Sequence, residues 1–232
     1  MTVEKKAKRM RKEIANNMVN SWHTSPKCDY EMRINAEPLM AFRKQYNEKN
    51  GVKVSFLNLV MKAAAIALKE FPYVNSSYDF ERQIHLMHDE INVGFAVAVG
   101  DGLVVANARN VDQMDLTALN QETSRLISMI ESGQFTMDDI TGSTLTVNNM
   151  GSYKRLIHHN AIINQPELAI LSMYNITDEP VVRDGAVVPQ KCMNLMLSAD
   201  HRVIDGKMAC EFLTRIADLL EAPEEMLEGG NE

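Results

Sequence analysis

The C-terminal part of the chain contains the feature that most constrains the fold, a strand and a helix joined by a short polar corner. The strand is predicted from Lys191-Cys-Met-Asn-Leu-Met-Leu-Ser198, and the helix from residues 207–220. Between them runs Ser198-Ala-Asp-His-Arg-Val-Ile-Asp-Gly206, in which one histidine stands between two carboxylates. Such a corner displays a side chain at the end of a sheet and holds it between two rigid elements.

The histidine of this corner, His201, is a candidate general base because imidazole changes charge near neutral pH. For an isolated Asp-His pair, a polar turn that caps the following helix would be the better interpretation. The complete pattern over residues 200–206 carries more information than that pair, and it favours a catalytic corner.

Composition predicts a single soluble globular domain. The chain has 232 residues, of which 45% are apolar and 24% are charged, a mixture that can bury a core of its own. No apolar run approaches the roughly 18 residues of a membrane span, and a net charge of −7 argues against a nucleic-acid partner. Cys28, Cys192 and Cys210 are far apart and no apolar signal segment follows the N-terminus, so we expect a cytoplasmic protein.

Helix and strand patterns alternate irregularly along the chain, which favours a mixed sheet covered by helices over a doubly wound parallel sheet. The helix at 55–70 is apolar on nearly every side and should be buried. Predicted helices cover 5–22, 37–50, 55–70, 115–132 and 207–221. Predicted strands cover 27–36, 74–79, 83–87, 90–99, 103–108, 143–149, 168–174 and 187–198.

The corner Asp200-His-Arg-Val-Ile-Asp-Gly206 resembles the Asp-His-Arg-x-x-Asp-Gly signature of the dihydrolipoamide acyltransferase core of 2-oxo acid dehydrogenase complexes. Its His-x-x-x-Asp-Gly part is shared with chloramphenicol acetyltransferase. Other segments resemble this core in the same order, namely residues 11–18, 54–65, 92–98, 102–105 and 164–171.

The resemblance implies a chloramphenicol acetyltransferase-like α/β fold, a two-layer mixed sheet with helices that forms trimers with active sites between subunits. Residues 1–232 are then expected to form one acyltransferase catalytic domain, with no lipoyl or subunit-binding domain in the chain. The expected partners are copies of the chain itself, as a homotrimer or a larger multiple of trimers, and a lipoyl-bearing protein. A eukaryotic member would be expected in the mitochondrial matrix.

The resemblance also implies the chemistry, the transfer of an acyl group between coenzyme A and a dihydrolipoyl thiol. Coenzyme A is then a substrate, the lipoyl group belongs to a separate domain or protein, and no metal is needed. By resemblance, His201 is the base and Asp205 is a structural carboxylate paired with Arg11. Asp205 can also be the N-cap of the helix that follows, and the two roles can coexist.

The chain departs from the family where an oxyanion donor is expected. Leu145-Thr-Val-Asn-Asn-Met-Gly151 replaces the usual Phe-Thr-Ile-Ser-x-x-Gly, so Asn148 stands at the serine position. An amide can also donate to an oxyanion. In the altered loop that follows, Lys154 and Arg155 either meet coenzyme A phosphates or are simply solvated. His158 and His159 do not predict a metal site, because neighbours on a strand point opposite ways.

Two alternatives remain open. Asn148 and the altered loop favour a stand-alone coenzyme A-dependent acyltransferase whose acceptor is a small hydroxyl or amine, whereas Asp200-His-Arg202 favours the dihydrolipoyl acceptor. The second alternative is a non-catalytic trimeric scaffold. His201 and Asp205 argue against it, because a scaffold needs neither.

Overall fold

A six-stranded mixed sheet forms the centre of the computed structural model, which describes residues 2–7, 9–99 and 102–228. The helices are α1 (Arg9–Thr24), α2 (Glu37–Asn50), α3 (Phe56–Glu70), α4 (Leu116–Ser132), α5 (Gly206–Glu221) and α6 (Glu225–Glu228). The strands are β1 (Lys27–Asn35), β2 (Ser76–Asp79), β3 (Ile84–Met87), β4 (Val93–Val99), β5 (Gly102–Ala108), β6 (Leu145–Asn149), β7 (Ala169–Arg183) and β8 (Ala186–Asp200).

The strand order is β1-β8-β7-β6-β4-β5, and β2 and β3 form a separate hairpin. Strand β6 runs parallel to both β4 and β7, while the other neighbours in the large sheet are antiparallel. The predicted mixed sheet is therefore confirmed. The sequence Gly100-Asp-Gly102 between two apolar runs predicts a hairpin turn. Residues 100 and 101 lie outside the described residues, but the antiparallel pairing of β4 and β5 confirms the hairpin.

Helix α3 lies in the core, as its apolar sequence predicts. It begins with a capping box in which the Ser55 hydroxyl accepts a hydrogen bond from the Asn58 backbone N–H, and the Asn58 side chain accepts one from the Ser55 backbone. One charged side chain, Lys62, is buried with it, and its ammonium donates to the backbone carbonyls of Asp112 and Met114 at 2.8 and 2.7 Å. Burial lowers the pKa of Lys62, and these carbonyls replace the water that the ammonium loses.

Strands β7 and β8 are longer than predicted. They continue into a hairpin that turns at Asp184-Gly185, where both residues have positive φ, 53° and 79°. Asp-Gly between two valine-rich runs favours a turn of this kind, and our prediction overlooked that signal.

Helix α1 presents apolar side chains to the outside of the chain. The sequence predicts an apolar stripe of Met10, Ile14, Met18 and Trp22 on this helix. Trp22 is nevertheless 61% exposed, and Val19 is 58% exposed. The side chain of Met10, another member of the stripe, lies outside the described residues.

None of the helices in the described ranges is long and apolar enough to span a membrane.

Candidate active site

The corner after β8 displays His201 at the surface. Strand β8 ends at Asp200 and helix α5 begins at Gly206. The backbone N–H of His201 donates to the carbonyl of Pro26 at 3.0 Å, which ties the corner to the start of β1. The His201 side chain is exposed, and among the described residues of the chain its imidazole has no hydrogen-bond partner. The backbone is thus held while the imidazole stays available.

An ion pair inside the corner fixes its shape. Asp200 is fully buried, and its carboxylate accepts hydrogen bonds from the backbone N–H of Arg202 at 3.0 Å and from the Arg202 guanidinium at 2.6 to 3.2 Å. The guanidinium also lies 5.9 and 5.3 Å from the ring centroids of Tyr78 and Phe80. This ion pair was not predicted, although the charges on both sides of His201 were a usable signal.

Asp205 caps helix α5. Its carboxylate accepts a hydrogen bond from the backbone N–H of Met208 at 2.8 Å, so the capping role is observed. The Asp205 side chain is exposed, and so is that of Arg11 on α1. Neither side chain is buried within one chain, so the pairing of Asp205 with Arg11 stays a prediction for the assembled protein.

Asn148 lies near the end of β6, half-buried, at one end of a polar network. Its amide nitrogen is 3.2 Å from Nε2 of His159, and Nδ1 of His159 is 2.8 Å from the hydroxyl of Tyr174. Burial lowers the pKa of His159 and raises the pKa of Tyr174. Both groups are therefore neutral at neutral pH, and sequence reasoning predicted no role for either.

One chain does not bring Asn148 and His201 together. Asn148 pairs with Ser172 on β7, and Ser172 pairs with Met196 on β8, at a position four residues before Asp200. Two strand spacings of about 4.8 Å and four residues of about 3.3 Å separate the Cα atoms of Asn148 and Asp200 by roughly 16 Å. The two predicted catalytic groups can meet only if a second copy supplies one of them.

His158 and His159 have different partners, although they lie in a loop and not on the strand that the prediction assumed. His158 lies 3.4 Å from the carboxylate of Glu31 and 3.0 Å from the amide oxygen of Asn160, whereas His159 faces Asn148. Within the described ranges, no group of three or more histidine, cysteine, aspartate or glutamate side chains could hold a metal.

The two candidate coenzyme A ligands, Lys154 and Arg155, are both exposed. Lys154 lines a cavity of about 370 Å³ together with Glu31, His158 and Tyr174. That cavity adjoins the network of Asn148, so the placement of Lys154 fits a ligand contact as well as a solvated position.

A comparison with known families decides the assignment. The family model for the 2-oxoacid dehydrogenases acyltransferase catalytic domain matches residues 2–228. The chain belongs to this family. The family membership predicted from the motif at residues 200–206 is therefore confirmed.

Curated members of this acyltransferase family align with nearly the whole of this chain. One is the dihydrolipoyllysine-residue succinyltransferase component of the 2-oxoglutarate dehydrogenase complex of Pseudomonas aeruginosa, 36% identical over 224 residues, which cover 94% of this chain and 54% of the relative. The chain thus spans about half the length of the curated relatives it matches.

Two solved acyltransferase cores have the same fold, each with a TM-score of 0.91 and 33% identity over 98% of this chain and 94% of theirs. One is the cubic core of a pyruvate dehydrogenase multienzyme complex. The other is the dihydrolipoamide acetyltransferase of Azotobacter vinelandii, whose catalytic mechanism was investigated at a serine, a histidine and, four residues after the histidine, an asparagine.

Chloramphenicol acetyltransferase matches 88% of this chain and 94% of its own, with a TM-score of 0.56 and 15% identity. At that identity the similarity concerns the fold alone. It confirms the chloramphenicol acetyltransferase-like α/β fold of this acyltransferase domain.

Proposed function

We propose that the chain catalyses the transfer of an acyl group between coenzyme A and a dihydrolipoyl thiol. The observation that carries this proposal is the exposed imidazole of His201, which no described residue of the chain engages, on a corner held by the buried Asp200–Arg202 pair. The membership in an acyltransferase family supports it. So does the Azotobacter vinelandii enzyme, in which a histidine is followed four residues later by a polar residue, as His201 is by Asp205.

The proposed reaction begins with a thiol that is mostly protonated at neutral pH. His201 takes the thiol proton, and the sulfur attacks the carbonyl carbon of the acyl thioester. A new carbon–sulfur bond forms, and the carbonyl electrons move onto oxygen as an oxyanion. When the oxyanion collapses, the original carbon–sulfur bond breaks, and the departing thiolate recovers the proton from His201. Base catalysis of this kind contributes about 10²–10⁴ in rate.

Asn148 is the proposed donor to the oxyanion. It occupies the position where the family has serine, and it precedes His201 by about as many residues as the serine precedes the histidine in the Azotobacter vinelandii enzyme. A donor that is already oriented before the charge develops stabilises the transition state by about 3 kcal/mol.

The separation of Asn148 from His201 supports an assembly in which neighbouring copies share each site. If His201 of one copy faces Asn148 of the next, the contact joins unlike surfaces, and such contacts close into rings. We propose a homotrimer, which can assemble further as in the related cubic core. The exposed Val19 and Trp22 on α1 and the exposed Val182 and Val187 of the β7–β8 hairpin are apolar surfaces available for such contacts.

We propose that the lipoyl group is carried by a separate domain or protein, and that the enzyme works in the cytoplasm or, in a eukaryote, in the matrix. An acceptor with a small hydroxyl or amine is a second candidate. The amide at position 148, bulkier than the usual serine, favours it.

The test measures products by mass spectrometry, with acetyl-CoA and succinyl-CoA as donors and free dihydrolipoamide as acceptor. Acyl-dihydrolipoamide is expected, and its absence with every donor would contradict the dihydrolipoyl acceptor. Light scattering should give a mass that is a multiple of three chains. Mixing unfolded His201→Ala and Asn148→Ala chains and refolding them together should restore part of the activity, because some interfaces then contain both intact residues.

A further inference from the structure

The orientation of the Asn148 amide sets the arrangement of protons in its network. An amide nitrogen can donate but not accept, so Nε2 of His159, 3.2 Å away, must accept. In the neutral imidazole the proton is then on Nδ1, which donates to the hydroxyl oxygen of Tyr174 at 2.8 Å. The backbone N–H of His159 donates to the same oxygen at 3.0 Å. Tyr174 is 2% exposed, and its hydroxyl directs its own proton toward the carbonyl oxygen of His159, 3.5 Å away, so its oxygen serves as the acceptor of Nδ1–H.

An asparagine at this position has a requirement that a serine does not have. A hydroxyl rotates about its C–O bond and can turn its proton to any nearby acceptor. An amide instead presents N–H groups on one side and a carbonyl oxygen on the other, and turning it over exchanges the two. A half-buried amide that donates to an oxyanion therefore needs a neighbour that holds it the right way round.

We propose that His159 and Tyr174 are positioning residues that hold the Asn148 amide with one N–H on His159 Nε2 and the other N–H free for the oxyanion. This inference rests on the proposed function, in which Asn148 is the oxyanion donor. Neither residue touches the reacting atoms. Tyr174 fixes the tautomer of His159, and His159 fixes the amide.

The arrangement makes the donor sensitive to pH. Protonation of His159 places a proton on Nε2 opposite the amide N–H, so two donors meet. The amide then turns over to offer its oxygen to His159, and its N–H groups leave the oxyanion position. Besides Asn148 on β6 and Tyr174 on β7, the charged and titratable groups around His159 are His158 in the loop and Lys27, Asp29 and Glu31 on β1.

Burial keeps His159 neutral through the working range. Burial of the imidazole lowers its pKa, His158 and Lys27 lower it further, and Asp29 opposes them. The network is therefore intact at neutral pH, and it fails only below the ordinary pKa of histidine, about 6.5.

The experiment compares kcat and KM of three variants with acetyl-CoA or succinyl-CoA and free dihydrolipoamide. His159→Leu should lower kcat by about 10²-fold with little change in KM, because a displaced donor is lost mainly to the transition state. His159→Gln keeps an acceptor opposite Asn148 and should retain most of kcat, but without the acid-side ionisation of His159. His85→Gln, at an exposed histidine of the β2–β3 hairpin, is the matched control and should leave kcat unchanged at pH 7.5.

A second background separates positioning from a general structural role. In Asn148→Ser the hydroxyl needs no orienting partner, so adding His159→Leu should change kcat less than threefold. An equal loss in both backgrounds would overturn the inference. If His159→Leu does not fold, Tyr174→Phe, which removes the acceptor of Nδ1–H, provides the same comparison.

The outcomes distinguish this inference from the proposed function. If His201→Ala and Asn148→Ala lose activity while His159→Leu does not, only the positioning role is wrong. If His201→Ala retains activity, the acyltransferase mechanism itself is wrong.

Discussion

The two ends of the proposed site are built in opposite ways. At the corner, the backbone around His201 is held by the buried Asp200–Arg202 pair while the imidazole has no partner among the described residues. At the end of β6, the side chain of Asn148 is itself engaged by His159. The difference follows from the two tasks: a base must be free to reach its substrate and exchange a proton, whereas a donor acts only through its orientation.

The largest expected effect on kcat comes from replacing His201, the residue at the corner. His201→Ala should lower kcat by about 10²–10⁴ while KM and the melting temperature stay nearly unchanged, because the side chain is exposed and forms no hydrogen bond with the described residues. Steady-state kinetics with several acyl-CoA donors and dihydrolipoamide would check this. A loss below threefold with every donor would favour the scaffold alternative.

The contribution of the Asp200–Arg202 ion pair is tested by the free energy of unfolding. Asp200→Asn removes the buried carboxylate that the half-buried Arg202 guanidinium pairs with, and should lower the free energy of unfolding by about 3 kcal/mol. Asp178→Asn is the matched control, since Asp178 forms an equally short but exposed ion pair with Lys191 at 2.7 Å, and it should cost less than about 1 kcal/mol. Equal costs in chemical denaturation would mean that burial of the first pair does not matter.

At the other end of the site, kcat should depend on the hydrogen-bond donor at position 148. Asn148→Ala should lower kcat by about 10²-fold, since it removes the donor to the oxyanion. Asn148→Ser should retain or raise activity toward dihydrolipoamide, because it restores the donor usual in the family. A serine variant as inactive as the alanine variant would show that residue 148 does not face the oxyanion.

A buried carboxylate, Glu167, links the two ends. It accepts hydrogen bonds from Ser143, Thr146 and Asn164, it is 1% exposed, and burial raises its pKa to about 7. Thr146 lies on β6, the strand of Asn148. On the other side, the carbonyl of Leu168, the residue after Glu167, accepts a hydrogen bond from the backbone N–H of Asp200.

The raised pKa of Glu167 predicts a stability profile. Between about pH 4.5 and 7 the folded protein keeps a proton that the unfolded chain has released, so stability falls as the pH rises through this window. Glu167→Gln should therefore raise the free energy of unfolding at pH 8 by up to about 3 kcal/mol and change it little at pH 4.5. Denaturation at both pH values would check this, with Glu131→Gln, an exposed glutamate on α4, as the control. A gain of equal size at both pH values would contradict it.

The smallest expected effect concerns the cap of α5. Asp205→Ala should cost about 1 kcal/mol, and Asp205→Asn should cost much less, because asparagine caps helices as well as aspartate does. If the Asp205 charge also pairs with Arg11 in the assembled protein, Asp205→Asn and Arg11→Ala should each cost more than that, and less than additively together. Thermal denaturation of the assembled protein would separate the two cases.

Local sequence was sufficient to predict the corner and most of the fold. The strand before His201, the helix after it and the cap at Asp205 are properties of consecutive residues, because hydrophobic period and capping act over a few positions. Helix α3 was predicted to be buried for the same reason. The long β7–β8 hairpin was also within reach, since its Asp184-Gly185 turn is a local signal that we overlooked.

Only the tertiary structure decided the state of the charged and polar side chains. Packing buries Asp200 and Glu167, and packing brings His159 and Tyr174 to Asn148 from a loop and another strand. The order of β6, β7 and β8 separates Asn148 from His201 within the chain. Burial and long-range contacts depend on how distant segments meet, and no spacing along the sequence encodes that. The sequence thus determined which residues are candidates, and the fold determined which of them are free, which are held, and that Asn148 and His201 lie apart within one chain.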